Sequence, residues 1–118
     1  MLQYLQSVIL LLASINIVTA EKCFQDRDEL KLAVDVFIDG DCTNSDCNVT
    51  KTYGYPMNSW CIGNVTSLRY MFSVKPTFNE DISGWDTSRV TSMEGTFSGA
   101  SLFYLAILDL GMCQVLQT

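Results

Sequence analysis

Trp60 and Trp85 mark an internal repeat: sliding the chain so that one falls on the other aligns Met57–Phe78 with Ile82–Phe103. Seven of the 22 aligned positions are identical: the two tryptophans, Val65/Val90, Thr66/Thr91, Ser67/Ser92, Phe72/Phe97, Ser73/Ser98 and Phe78/Phe103. Met57/Ile82 and Leu68/Met93 are conservative pairs. A fixed period of about 20 to 50 residues marks a repeat array, whose units bury their apolar sides only against each other. No other feature limits the fold as strongly.

The pattern within a unit predicts its local structure. Met57-x-x-Trp60-x-Ile62 and Ile82-x-x-Trp85-x-Thr87 follow the L-x-x-L-x-L scheme of a strand entry. Val65, Leu68 and Phe72, then Val90, Met93 and Phe97, are spaced by three and four. That spacing reads as one face of a short helix, which Ser88 or Thr91 would cap in the second unit. Gly84 and Gly99 suit bends. The expected fold class is therefore α/β: a short leucine-rich-repeat-like solenoid with a strand and a short helix per 25-residue repeat. Its core would be Met57, Trp60, Ile62, Val65, Leu68, Phe72, Phe78, Ile82, Trp85, Val90, Met93, Phe97 and Phe103.

The stretch Phe78-Asn79-Glu80-Asp81-Ile82-Ser83-Gly84-Trp85-Asp86-Thr87-Ser88-Arg89-Val90-Thr91-Ser92-Met93 resembles the repeat of BspA-like leucine-rich-repeat surface proteins. That family runs F-N-x-D-I-S-x-W-D-V-S-x-V-T-x-M-x-x-M-F-x-x-A, and it occurs in mycoplasma and lactobacillus surface proteins and in secreted algal proteins. The resemblance covers Met57 to about Phe103. It implies cell-surface attachment or binding of partner proteins. Thr96 departs from it, where the family favours Met, and so does everything after Phe103. The block before Trp60-Cys61 looks like the cap that precedes such arrays in the algal members.

Four segments follow: residues 1–20, a signal peptide; 21–56, an N-terminal cap with a cysteine-pinned loop; 57–103, two repeats; and 104–118, an aberrant tail. The apolar run Val8–Val18 ends in Val18-Thr19-Ala20, small residues suited to cleavage after Ala20. There is no basic residue before it, so an uncleaved anchor competes, but the run is short for ~30 Å of hydrocarbon. In the cap, Asp26 and Glu29 form a capping-box-like start. Leu30, Ala33, Val34 and Phe37 make an apolar stripe, and Gly40 is the stop, which predicts a helix over Arg27–Asp39 covering the open end of the first repeat.

A secreted chain meets an oxidising compartment, so Cys23, Cys42, Cys47 and Cys61 are disulfide candidates with three possible connectivities. Nearness in sequence favours Cys42 with Cys47, leaving Cys23 with Cys61, and Cys113 is left over. Zinc is disfavoured, since there is no histidine and no two CxxC pairs. Asn48-Val49-Thr50 and Asn64-Val65-Thr66 are glycosylation sequons. Asn48 lies in the polar loop Asp41–Tyr53, whereas Asn64 falls inside the repeat beside an inward-facing Val65.

The net charge is -6, with eight of the thirteen acids between Glu21 and Asp46. This balance disfavours nucleic-acid and anionic-membrane partners, which need clustered Lys and Arg. No nucleophile–base pair is evident, so no enzyme and no cofactor is expected. Asn79, Glu80 and Asp81 read as turn residues that hydrogen-bond the next coil, and calcium binding there is the sharper but less favoured option. The expected function is a secreted or cell-surface module for adhesion or protein recognition, binding an extracellular protein or surface ligand without membrane insertion. The alternative is a small disulfide-rich effector or inhibitor acting through the 41–53 loop.

Two units are fewer than the three or so that bury a continuous core, so marginal stability is expected, with the tail packed non-specifically over the open end. The tail has its own explanation. A DNA string encoding Trp-Asp-Val-Ser-Ser-Val-Thr-Asn-Met, read from its second base, yields Gly-Met-Cys-Gln-Val-Leu-Gln-Thr and a stop, the sequence of Gly111–Thr118. The hypothesis is a frameshift between Phe103 and Ala106 that hides a third repeat and truncates a longer array. Sequencing the gene and transcript is expected to show the displaced repeat; an in-frame tail whose codons conceal none would remove this reading.

Overall fold

The computed structural model describes residues 21–42 and 44–103. The signal peptide expected over residues 1–20 and the aberrant tail at 104–118 lie outside these residues. Among the described residues, no helix is long and apolar enough to cross a membrane.

Helix α1 spans Arg27–Asp39. Its start is built as the residue types demand: the Asp26 carboxylate accepts the Glu29 N–H at 2.9 Å, and Asp28 and Glu29 place negative charge in the first turn. It ends at Gly40, whose N–H donates to the Val36 carbonyl. Leu30, Ala33, Val34 and Phe37 are its buried stripe, and the Phe37 ring meets Trp60 edge-on at 5.6 Å. Two ties hold α1 against the first repeat unit. The Arg27 guanidinium donates twice to the Arg69 carbonyl, and Lys75 pairs with Asp35 and Asp39.

The loop expected over Asp41–Tyr53 contains a second helix, α2, at Asn48–Tyr53. Cys42 bonds to Cys47 across a Cα separation of 5.9 Å, just ahead of this helix. Val49 and Tyr53, four apart, then lean on the core. The Thr50 hydroxyl is buried and donates to the Asn44 and Cys47 carbonyls. Ahead of α1, the Phe24 N–H donates to the Cys61 carbonyl and Cys23 is bonded to Cys61. That bridge closes a separation of 38 residues, a loop whose closure constrains the unfolded chain by about 4 kcal/mol.

The repeat units are stacked coils, but neither is the strand-plus-helix unit of the α/β solenoid expected above. Among the described residues there is no strand; Ser67 and Ser92 form an isolated parallel bridge. The supposed strand entry Met57-x-x-Trp60 is a 3-10 turn over Met57–Ser59, and no helix forms over residues 65–72 or 90–97, where one was expected. Each coil is a string of three-residue turns. Trp60 N–H donates to Met57, Val65 to Ile62, Met71 to Leu68 and Ser73 to Tyr70. The equivalent bonds one repeat later run from Trp85 to Ile82, Val90 to Thr87, Thr96 to Met93 and Ser98 to Gly95.

The reason for the correction is that apolar residues spaced by three and four mark the corners of successive turns as well as a helix face. Left-handed backbone decides between the two. Tyr70 (φ 53°) and Val74 (φ 57°) interrupt the first unit, and Gly95 (φ 61°) and Gly99 (φ 78°) interrupt the second at the matching positions. An α-helix does not pass through such residues. Ser88 and Thr91 therefore cap no helix. The Ser88 N–H is instead held by the Asp86 carboxylate at 3.0 Å.

What joins the coils is a ladder across them. The N–H groups of Leu68, Tyr70, Phe72 and Val74 donate to the carbonyls of Ser92, Glu94, Thr96 and Ser98, and the Thr91 N–H returns to Thr66. Beneath the ladder runs a continuous aromatic column. Tyr53 stacks on Phe24, which leans on Trp60; Trp60 stacks on Trp85, and Trp85 meets Phe72. Phe72 stacks on both Phe78 and Phe97, and Phe103 closes the group against Phe97 and Phe78. Such pairs add ~0.5–1.5 kcal/mol each to the burial of the rings themselves.

Val74 stands out because a β-branched side chain, 79% exposed, occupies the left-handed backbone that its counterpart Gly99 adopts without a Cβ. Val74→Gly removes that strain and little contact. It is expected to raise unfolding free energy by about 1 kcal/mol, the lower end of such strain, read as a higher urea midpoint at unchanged slope. A lower midpoint would contradict the strained assignment.

Candidate functional site

The side chains left on the coil surface are brought into rows by the same repeat register. The Arg89 guanidinium donates to the Asn64 side-chain oxygen at 3.4 Å, and the Thr91 hydroxyl to the Thr66 carbonyl at 3.2 Å. Arg69 pairs with Glu94 at 2.7 Å, and the Tyr70 hydroxyl donates to the other oxygen of the same carboxylate at 2.8 Å. Arg69 also lies over the Tyr70 ring at 6.0 Å. The hydrogen bond to Glu94 raises the Tyr70 phenol above its ordinary range. Tyr70 is half-exposed and covers Gly95 so closely that a Cβ there would strike its ring. An exposed tyrosine is thus held rigidly between an arginine and a carboxylate.

A second polar cluster locks the cap. The Lys22 ammonium pairs with Glu29, the Gln25 N–H donates to the same carboxylate at 2.8 Å, and the Tyr53 hydroxyl at 3.0 Å. The bond from Lys22, then those from Gln25 and Tyr53, hold the Glu29 carboxyl down at about 2. Glu29 therefore reaches one residue further back than a capping box does, to Gln25 rather than to Asp26. On the other side of α1, burial pushes the Asp35 carboxyl up, but hydrogen bonds from Lys31 and Lys75 outweigh it and leave it below the ordinary range.

The remaining sequence-derived sites fall as follows. Cys23 is bonded to Cys61 and Cys42 to Cys47, while Cys113 lies outside the described residues. Asn48 and Asn64 are both exposed. Asn48 opens α2 rather than sitting in a loop, and Val65 beside Asn64 is fully buried. Met57, Trp60, Ile62, Val65, Leu68, Phe72, Phe78, Trp85, Phe97 and Phe103 are buried, and Ile82, Val90 and Met93 are half-buried against them. Met71, Ala100 and Thr96 are buried too, although periodicity did not single them out.

Thr96, the departure from the family pattern, is accommodated because its hydroxyl donates to the Leu68 and Met93 carbonyls, each at 2.8 Å. Asp81, weighed above as part of a calcium site, accepts the Ser83 N–H at 2.9 Å. Among the described residues, no three His, Cys, Asp or Glu side chains are grouped to hold a metal ion. The 41–53 loop packs Thr50 and Cys42 into the core and stacks Tyr53 on Phe24. The Arg69–Tyr70–Glu94 group was missed. Its signal was present in the alignment, which sets Arg69 against Glu94 and Tyr70 against Gly95.

Residues 41–117 match the family described as Mycoplasma protein of unknown function, DUF285. No curated protein and no solved structure matches the chain.

The Glu29 cluster makes a pH test. A carboxyl that titrates at about 2 in the fold, against an ordinary 4.5, adds stability that is complete above the ordinary value and lost as pH falls toward 2. In Glu29→Gln the melting temperature is expected to lie below that of the parent at pH 6, with the gap closing by pH 2. A gap independent of pH would contradict the assignment.

Proposed function

The chain belongs to the DUF285 family of Mycoplasma proteins of unknown function, and from that premise we propose that it is a BspA-like repeat protein, secreted or displayed at a cell surface, that recognises other proteins. The reading as a binding module rather than an enzyme rests on the lack of any histidine in the chain and on the exposed side chains being engaged in rows instead of converging on a reacting centre.

One observation carries the proposal: Tyr70 is half-exposed and pinned by Arg69 and Glu94 on adjacent coils. Tyrosine and arginine dominate the residues whose loss weakens protein interfaces most, and a side chain ordered in advance loses little entropy on binding. Repetition supplies the flanking contacts. Asn64/Arg89 and Thr66/Thr91 extend the same polar surface on both coils.

Beads coated with the full chain provide the test, applied to cells of the species that carries the gene, before and after protease treatment. Beads are expected to adhere to untreated cells only. Arg69→Ala combined with Tyr70→Ala should reduce adhesion roughly tenfold or more, the scale of losing an interface anchor. Adhesion no greater than that of albumin-coated beads, or unaltered in the double variant, would refute the proposal.

A further inference from the structure

Asn48-Val49-Thr50 and Asn64-Val65-Thr66 are both acceptor sequons for an N-linked glycan, and the fold treats them differently. Both asparagines are exposed, so exposure of the acceptor does not choose between them. The threonines do, because glycan transfer reads the hydroxyl together with the asparagine amide. Thr50 is 4% exposed, and its hydroxyl donates to the Asn44 and Cys47 carbonyls at 2.8 and 3.0 Å. Thr66, by contrast, is exposed on the outside of the first coil.

The order of synthesis widens the difference. Both acceptors of the Thr50 hydroxyl precede it in the chain, and so does Cys42, the partner of Cys47. The groups that hold this sequon are therefore present when Thr50 is made, and contacts between near neighbours form first. The Asn64 sequon waits longer. Its turn from Ile62 to Val65 is marginal by itself, as a lone hydrogen-bonded turn is in water. The coil is fixed by the Thr91 N–H on the Thr66 carbonyl and by the ladder to Ser92, Glu94, Thr96 and Ser98. Thr91 follows Thr66 by 25 residues. At ~5–20 residues per second that is a delay of about 1–5 s, in which the sequon stays open to an enzyme. The finished fold also tolerates the product: Arg89 contacts the Asn64 side-chain oxygen, whereas glycosylation substitutes the nitrogen.

We propose that Asn64 is the N-glycosylation site of this chain and that Asn48, the sequon of the polar loop, is left unmodified. The inference rests on the secretion reading above, which brings the chain to the compartment where transfer occurs. In that reaction the Asn64 amide nitrogen attacks C1 of an oligosaccharide carried on a polyprenyl diphosphate. A C–N bond forms as the C–O bond to the diphosphate breaks. The diphosphate leaves with the electron pair, and the amide gives up one proton.

The full chain, expressed in eukaryotic secretory cells, tests this when its N-glycans are removed by an amidase in heavy-oxygen water and its peptides are mapped by mass spectrometry. Heavy oxygen is expected at Asn64 in most molecules and at Asn48 in few. Thr66→Ala should abolish the label at Asn64, and Thr50→Ala should leave the pattern as it is. Cys42→Ser with Cys47→Ser loosens the earlier sequon and should raise the label at Asn48; all of the cell-associated and secreted chain is counted, so a folding defect does not hide the result. Label at Asn48 equal to or above that at Asn64, label at neither, or no rise at Asn48 in the cysteine variant would overturn the proposal. A parallel chain with a leader of known cleavage ahead of Glu21 separates the two readings. Label at Asn64 behind that leader, but not behind residues 1–20, sinks the secretion reading and supports the choice of site; none behind either sinks the site.

Discussion

Four amides of the first coil, those of Leu68, Tyr70, Phe72 and Val74, donate to carbonyls of the second, and the arrangement of both units follows from that. A string of three-residue turns satisfies only part of its own backbone; the remaining donors need partners from elsewhere. Here they find them one coil away. The register of the ladder then dictates which side chains meet: Trp60 lies on Trp85, Phe72 on Phe97 and Phe78 on Phe103. Burial of these rings drives the stacking, and the ladder sets its step. Either element without the other would leave polar backbone or apolar surface uncovered.

The cap is subordinate to the same logic. An array of stacked coils has an inner end that would expose Trp60, Ile62 and Leu68, all buried here. Helix α1 covers that end with Leu30, Val34 and Phe37. Arg27 on the Arg69 carbonyl and Lys75 on Asp35 and Asp39 fix its position at both ends. The Cys23–Cys61 bridge holds the segment ahead of α1 to the start of the first coil. The acidic character of the N-terminal block is thereby put to local use, since Asp26, Glu29, Asp35 and Asp39 all bind neighbouring donors.

Much of this was legible beforehand, for physical reasons that differ by element. The period shows in Trp60 and Trp85 because stacked coils demand large rings at equivalent places. Helix α1 shows because its cap, stripe and stop all speak for one structure. The internal form of each coil was not legible, since spacings of three and four serve turns and helices alike. Left-handed backbone at Tyr70 and Val74 decides the matter, yet it is announced by glycine only in the second unit. Helix α2 was hidden in a polar stretch because the Cys42–Cys47 bridge, not an apolar stripe, folds it. Of the candidate surface, the residues were visible in the alignment, but their convergence on Tyr70 depends on the coil geometry.

Whether a ladder between coils, and not a strand and helix within each repeat, organises the two units is open to direct measurement. Scalar couplings transmitted through hydrogen bonds, read by NMR from amide nitrogen to carbonyl carbon, report each donor with its own acceptor. Couplings from Leu68, Tyr70, Phe72 and Val74 to Ser92, Glu94, Thr96 and Ser98 are expected. Couplings from Glu94 to Val90 and from Phe97 to Met93, as in an α-helix, would contradict the ladder.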